Sequence, residues 1–122
     1  MYCFYNANPV GRRVNDCTVR AISLATKEDW DKTYRELSEY AQKLATMPDD
    51  VIYIDGYLDR RFQKVYEKNK YKKDITVEQF ARAHPFGVYL ITMRGHITCC
   101  IDGCIYDTFN PKDRIVWDAY KV

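Results

Sequence analysis

Cys17 in "RRVNDCTVRAISLAT", His96 in "GHITCCI" and Asp107 in "CIYDTF" are the three side chains of this sequence that together would make a nucleophile, its base and an orienting carboxylate. A thiol attacks as its thiolate, and the positive end of a helix dipole or a nearby imidazolium lowers its pKa. Cys17 precedes Val19, Ala21, Ile22, Leu24 and Ala25, a run that leaves only a narrow polar face and predicts a short, largely buried helix. Asn15 or Asp16 would cap it. Taken alone, Cys17 reads equally as a small apolar residue packed ahead of a core helix.

His96 and Asp107 are brought together by a turn. Asp102-Gly103 is a two-residue signal for a type I′ hairpin, and such a turn fixes the register of its flanking strands. Ile101 then faces Cys104, Cys100 faces Ile105, Thr98 faces Asp107 and His96 faces Phe109. With a side-chain period of two, His96, Thr98, Cys100, Ile105, Asp107 and Phe109 share one side, and His96 and Asp107 become diagonal neighbours. An aspartate at that separation reaches an imidazole nitrogen.

The same register argues against a zinc site built from His96, Cys99, Cys100 and Cys104. Cys99 and Cys104 fall on the face opposite His96, and the spacing matches no common zinc pattern. These three cysteines read as small hydrophobes in half-buried strands. His84, before Pro85, reads as a helix-end residue, and Asn110, before Pro111, as a turn residue. Arg20, three positions after Cys17, lies near it on the helix and is expected to pair with a carboxylate on the solvent side, with Asp107 or an acidic substrate group as the alternatives. Trp117 is expected as an apolar cover over the sheet.

The elements that hold these residues follow from the pattern. After the Cys17 helix, Thr26 and Asp29 stand in capping-box spacing, and Trp30, Tyr34, Leu37, Ala41 and Leu44 mark an amphipathic helix. Between Pro48 and residue 65, Val51 to Ile54 fit strand or helix, and the part after Gly56, with Leu58, Phe62 and Val65, favours helix. Residues 68 to 73 read as a solvated connection. Thr76 and Gln79 form a second capping box ahead of Phe80 and Ala83. Then "VYLITM", "HITCCI", "CIYDTF" and "RIVWDAYKV" are β-rich runs separated by turn signals, expected as an antiparallel meander. The sum is a single α+β domain over residues 1–122, N-terminal helices packed on a C-terminal antiparallel sheet.

Bulk properties narrow the function. The chain has 122 residues, 47% of them apolar and 30% charged, with a formal charge of +2, so it has no strong field to gather nucleic acid. Its eleven tyrosines lie within apolar patterns and not within a basic run. An N-terminus without a basic start or a long apolar run, together with an odd count of five cysteines, leads us to expect a cytoplasmic protein with free thiols and no membrane segment.

Three stretches, "NDCTVRAISLAT" with its following helix, "TVEQFARAHPFGVYLI" and "GHITCCIDGCIYDTFNPKDR", resemble the papain-like cysteine peptidase superfamily, especially small bacterial and phage proteins similar to the bacteriocin-processing peptidases. Residues 46 to 74 carry none of the likeness. The resemblance implies a papain-like fold in which Cys17 is the nucleophile, His96 the general base and acid, and Asp107 the residue that orients His96. It implies an acyl-enzyme formed from a peptide, amide or other acyl substrate, without cofactor or metal. An oxyanion hole would combine the Cys17 N–H with a side-chain amide, usually a glutamine upstream of the cysteine. This chain has no glutamine there, which leaves Asn6, Asn8 and Asn15 as candidates. A hydrolase, whether peptidase, amidase or acyl transferase, is one expectation. The other is a non-catalytic binding or inhibitor protein of mobile-element origin that holds a protein partner in the same cleft.

Overall fold

The computed structural model describes residues 1–70 and 73–122. In chain order the elements are β1 (Tyr2–Phe4), α1 (Cys17–Thr26), α2 (Trp30–Lys43), α3 (Val51–Arg61), β2 (Gln63–Glu67), a 3-10 turn (Lys68–Lys70), α4 (Val77–Ala83), β3 (Val88–Met93), β4 (His96–Ile101), β5 (Cys104–Asp107) and β6 (Asp118–Lys121). The strands form one sheet in the order β1-β5-β4-β3-β6-β2. It is a mixed sheet, because β1 runs parallel to β5 while every other pairing is antiparallel. The fold class is therefore α+β. No helix among the described residues is long and apolar enough to cross a membrane.

Apolar side chains sort to both faces of this sheet. Leu90, Cys99 and Tyr120 join Ile22, Leu37 and Leu58 in a core under α1, α2 and α3. Their chain neighbours Ile91, Cys100 and Ala119 join Val77, Phe80 and Val116 in a second core under α4. A sheet covered on two sides explains why "VYLITM" reads as a nearly unbroken apolar run and not as a strict alternation.

The hairpin has its expected geometry. Asp102 and Gly103 take φ of 51° and 77°, both positive as a type I′ turn requires. The register is the expected one from Ile101↔Cys104 through Cys100↔Ile105 to Cys99↔Tyr106. Asp102 also accepts a hydrogen bond from the Gly87 N–H at 2.8 Å, which ties the turn to the start of β3. The Thr76–Gln79 capping box forms with both of its reciprocal bonds.

Other expectations are corrected. Thr26 is no cap: it ends α1 with its hydroxyl on the Ile22 carbonyl, and Asp29 alone caps α2 by accepting from the Lys32 N–H. Leu44 lies beyond α2 and is exposed. Helix α3 begins at Val51, before Gly56, and stops at Arg61. Val65, assigned by its spacing to that helix, stands in β2, where pairing with β6 outweighs the local helical period. The C-terminal strands are no simple meander, since β6 inserts between β3 and β2, and β1 adds a parallel edge. Of the expected connection 68 to 73, Lys68–Lys70 form the short turn, and residues 71 and 72 lie outside the described residues.

Candidate active site

Cys17 is the first residue of α1, and Asp16 stands at its N-cap. The cap expectation fails in an informative way. Asp16 makes no side-chain cap bond, because its buried carboxylate receives Arg20, the Trp30 indole N–H at 2.9 Å and the Asn8 amide at 3.4 Å. Arg20 N–H bonds back to the Asp16 carbonyl, whereas the N–H groups of Cys17, Thr18 and Val19 have no acceptor among the described residues. Those donors face an open end of the helix, where a developing negative charge is stabilised.

His96 opens β4. Its Nε2 lies 2.6 Å from Asp107 Oδ2, which leaves Nδ1 as the ring nitrogen for the Cys17 thiol to which His96 also hydrogen-bonds. Both members of the His96–Asp107 pair are buried. The Phe109 ring, tilted 45° with its centroid 4.7 Å away, packs on the imidazole. Asp107 is held from several directions: Oδ1 accepts from the Thr108 N–H at 2.7 Å, and Arg20 Nη2 stands 3.6 Å from the same oxygen. The Asp107 carbonyl accepts from the Tyr2 hydroxyl at 3.0 Å and the Tyr5 N–H at 2.9 Å, both from the N-terminal arm.

Strict alternation does not describe this end of the sheet. Cys100 and Ile105 pack under α4 as expected, yet His96 and Asp107, assigned to that same side, meet Cys17 and Arg20 of α1. The β4–β5 ladder ends at Cys99↔Tyr106, so both residues lie beyond its last rung, His96 pairing instead with Met93 of β3 and Asp107 with Phe4 of β1.

The electrostatics follow from these contacts. Burial pushes the Cys17 thiol up, but the His96 hydrogen bond and charge, the Ile97 backbone N–H and the Arg20 charge outweigh it, and its pKa falls below the ordinary 9.0. Burial pulls His96 down, but Asp107 and Cys17 outweigh that and raise it from 6.5 to about 9. Burial raises Asp107, and the bonds from His96 and Thr98 with the His96 charge bring it below the usual carboxylate value. The strand cysteines behave oppositely: burial pushes Cys99 up to about 12 and Cys100 up to about 11. Cys17 is thus set apart from them by chemistry as well as by place.

Cys17 and His96 open onto a cleft of about 200 Å³. Ile54, Met93 and Trp117 supply apolar wall, Asp49 and Asp55 bring carboxylates, and Asn15 and Thr18 flank the thiol. Of the three candidate amides only Asn15 lines this cleft. Asn6 and Asn8 fasten the arm instead: Asn6 accepts from the Asn8 N–H and donates to the Arg12 carbonyl, while Asn8 accepts from the Val10 and Arg12 N–H groups. Trp117 is 39% exposed on the cleft wall, so it is not a cover over the sheet. His84 ends α4, with Nδ1 on the Phe80 carbonyl and its ring stacked on Phe80. Asn110 accepts from the Lys112 N–H as a turn residue does.

Arg20 is the largest departure at the site. Expected on the solvent side, it is buried between Asp16 and Asp107. The Asp16–Arg20 spacing of four was visible in the sequence, and Asp107, the alternative partner read there, is the second carboxylate, delivered from β5. Trp30 as a donor to Asp16 was also missed, because its place in the apolar stripe of α2 accounts for it without a polar role. Among the described residues, no group of three or more His, Cys, Asp or Glu is arranged to hold a metal ion. Comparison of the chain with family models, with curated proteins and with solved structures gives no match.

Proposed function

We propose that this chain is a small papain-like cysteine hydrolase, a peptidase, amidase or acyl transferase, with Cys17 as nucleophile, His96 as general base and acid, and Asp107 as its orienting carboxylate. One observation carries the reading: His96 bridges Asp107 at 2.6 Å and a thiol of lowered pKa on a helix N-terminus, at the mouth of a cleft. Packing alone gives no reason for a buried imidazole to be held this way. The order of a cysteine on a helix start, a histidine on a strand and an aspartate on the next strand is similar to the papain-like arrangement.

In the proposed reaction the Cys17 thiolate attacks the carbonyl carbon of an amide or thioester. The resulting oxyanion takes the Cys17 N–H and the Asn15 amide. As the bond to the leaving group breaks, that group takes the proton of the His96 imidazolium, leaving an acyl group on Cys17 and a neutral imidazole. His96 then removes a proton from water or an acceptor amine, which attacks the thioester and restores the thiolate and imidazolium. Asp107 keeps Nδ1 aimed at the sulfur and stabilises the imidazolium. The reactive thiolate–imidazolium form occupies the pH window above the lowered Cys17 pKa and below about 9.

The test is acylation by a p-nitrophenyl ester, followed by intact-protein and peptide mass spectrometry. A burst of one acyl group on Cys17, absent in His96→Ala and followed by slow release, is expected. Slow, equal acylation of every accessible thiol would refute the enzyme reading and favour a protein that only binds in the cleft.

A further inference from the structure

We infer that Arg20 is a positioning residue of the candidate site, the buried brace that joins the helix bearing Cys17 to the carboxylate bearing His96. The inference rests on the hydrolase reading above and adds a part to it. The contacts close a ring. Asp16 binds Arg20, Arg20 reaches Asp107, Asp107 holds His96, His96 bonds to Cys17, and Cys17 is peptide-linked to Asp16. The ring joins three elements, α1, β5 and β4, and the contacts from Arg20 to Asp107 and from His96 to Cys17 cross from helix to sheet, where no backbone ladder sets the spacing.

A buried arginine needs a reason. Removing a guanidinium from water costs several kcal/mol unless its donors and charge are matched. Two carboxylates match this one, and each has another duty. Asp16 is fixed by the Trp30 indole and by Asn8 of the arm, and Asp107 is fixed by Thr108 and the arm. Among the described residues the fork of Arg20 is the one group that touches both, and a planar two-nitrogen cation spans two acceptors in a way a lysine ammonium does not. Arg61, near Glu28 and Glu36, and Lys64, near Asp59 and Asp118, also meet two carboxylates each, but their side chains are about three times as exposed as that of Arg20 and remain solvated.

Arg20 does not line the cleft; it stands behind the thiol and acts through Asp107. Its loss is therefore expected to change the ionisation of the pair more than access to it. The other charged or titratable groups around Cys17 are Asp16 at its cap, His96 on β4, Asp107 and Tyr106 on β5, Tyr5 of the arm, and Asp49 and Asp55 across the cleft.

The test is the pH dependence of Cys17 alkylation by iodoacetamide in wild type, Arg20→Met and Arg20→Lys. Arg20 lowers the Cys17 thiol directly as the last of several causes and indirectly by holding Asp107 behind His96, so its removal is expected to raise the midpoint by about one pH unit. Arg20→Met should therefore lose about tenfold in rate at pH 6.5 while staying near wild type at pH 10, where the thiol is ionised in both. Arg20→Lys, which keeps the cation and loses the fork, should fall about threefold at pH 6.5 and decides the matter if Arg20→Met does not fold. A purely structural role would change accessibility at every pH and leave the midpoint in place. A wild-type profile in the variants, beside a low and His96-dependent midpoint in wild type, overturns the role of Arg20 alone. An ordinary wild-type midpoint, indifferent to His96→Ala, overturns the hydrolase reading and this inference with it.

Discussion

Replacing Asp107 by asparagine keeps the shape of the side chain and removes the charge that holds His96. In the native protein His96 stands at about 9 against an ordinary 6.5: burial pulls it down, and Asp107 at 2.6 Å and Cys17 outweigh that. An opposite charge at such range moves a pKa by about 1 to 3 units, so Asp107→Asn should bring His96 down by about 2 pH units. The consequence for stability has a definite sign. A histidine whose folded pKa is raised contributes stability that is fully present below its unfolded pKa and is lost as pH climbs through the folded one. The window here runs from 6.5 to about 9. At about 1.4 kcal/mol per pH unit, the shift of about 2 units expected in Asp107→Asn corresponds to at most about 3 kcal/mol, less what solvent screens. Wild type should therefore exceed Asp107→Asn in urea stability by a margin that is largest near pH 6 and shrinks by roughly that amount towards pH 10. The pKa itself is read from the imidazole proton resonances, with only two histidines to distinguish and His84→Gln to assign them. A His96 that still titrates near 9 in the variant, or a stability margin that does not change with pH, would refute the reasoning.

Two further substitutions probe the frame around the site. Gly103→Ala places a side chain on a residue at φ 77°, and its Cβ would meet the Ala81 carbonyl at 3.3 Å. It should lower urea stability by about 1 to 2 kcal/mol, and an unchanged midpoint would contradict the type I′ assignment. Trp30→Phe keeps the stacking on Tyr34 and deletes the indole donor to the Asp16 carboxylate. The loss of a bond to a buried charge should cost about 1.5 to 3 kcal/mol, read by urea unfolding at neutral pH; no loss would mean that Asp16 does not depend on Trp30.

How much of this was legible in the sequence depends on whether the deciding interaction was local. The Asp102-Gly103 turn dictates its own backbone and so the register of Cys99, Cys100 and Ile101 against β5, which is why His96 and Asp107 could be paired in advance. Thr76 with Gln79, and Cys17 ahead of its apolar run, are equally self-contained. Val65 misled because its helical spacing is a local signal, whereas β6, the strand that holds β2 through the residues on either side of Val65, lies at the other end of the chain. β1 is three residues long and exists by its contacts with β5. Arg20 misled for a sharper reason: an arginine on a helix reads as solvent-facing until a second carboxylate is known to approach it. The side to which His96 and Asp107 turn was likewise not fixed by the period of two, because the β4–β5 ladder whose register the turn sets ends before it reaches them. The residues of the candidate triad could be chosen from sequence, whereas for Arg20 the pairing with Asp107 stood only as an alternative to a solvent-side carboxylate.

The most direct measurement is the pH dependence of Cys17 alkylation, followed by peptide mass spectrometry, in wild type and in His96→Ala. A thiolate–imidazolium pair requires a midpoint for Cys17 well below about 8.5 that moves upward when His96 is removed, with Cys99 and Cys100 unlabelled throughout. A Cys17 that titrates as an ordinary thiol, or that is indifferent to the loss of His96, would contradict its assignment as the nucleophile.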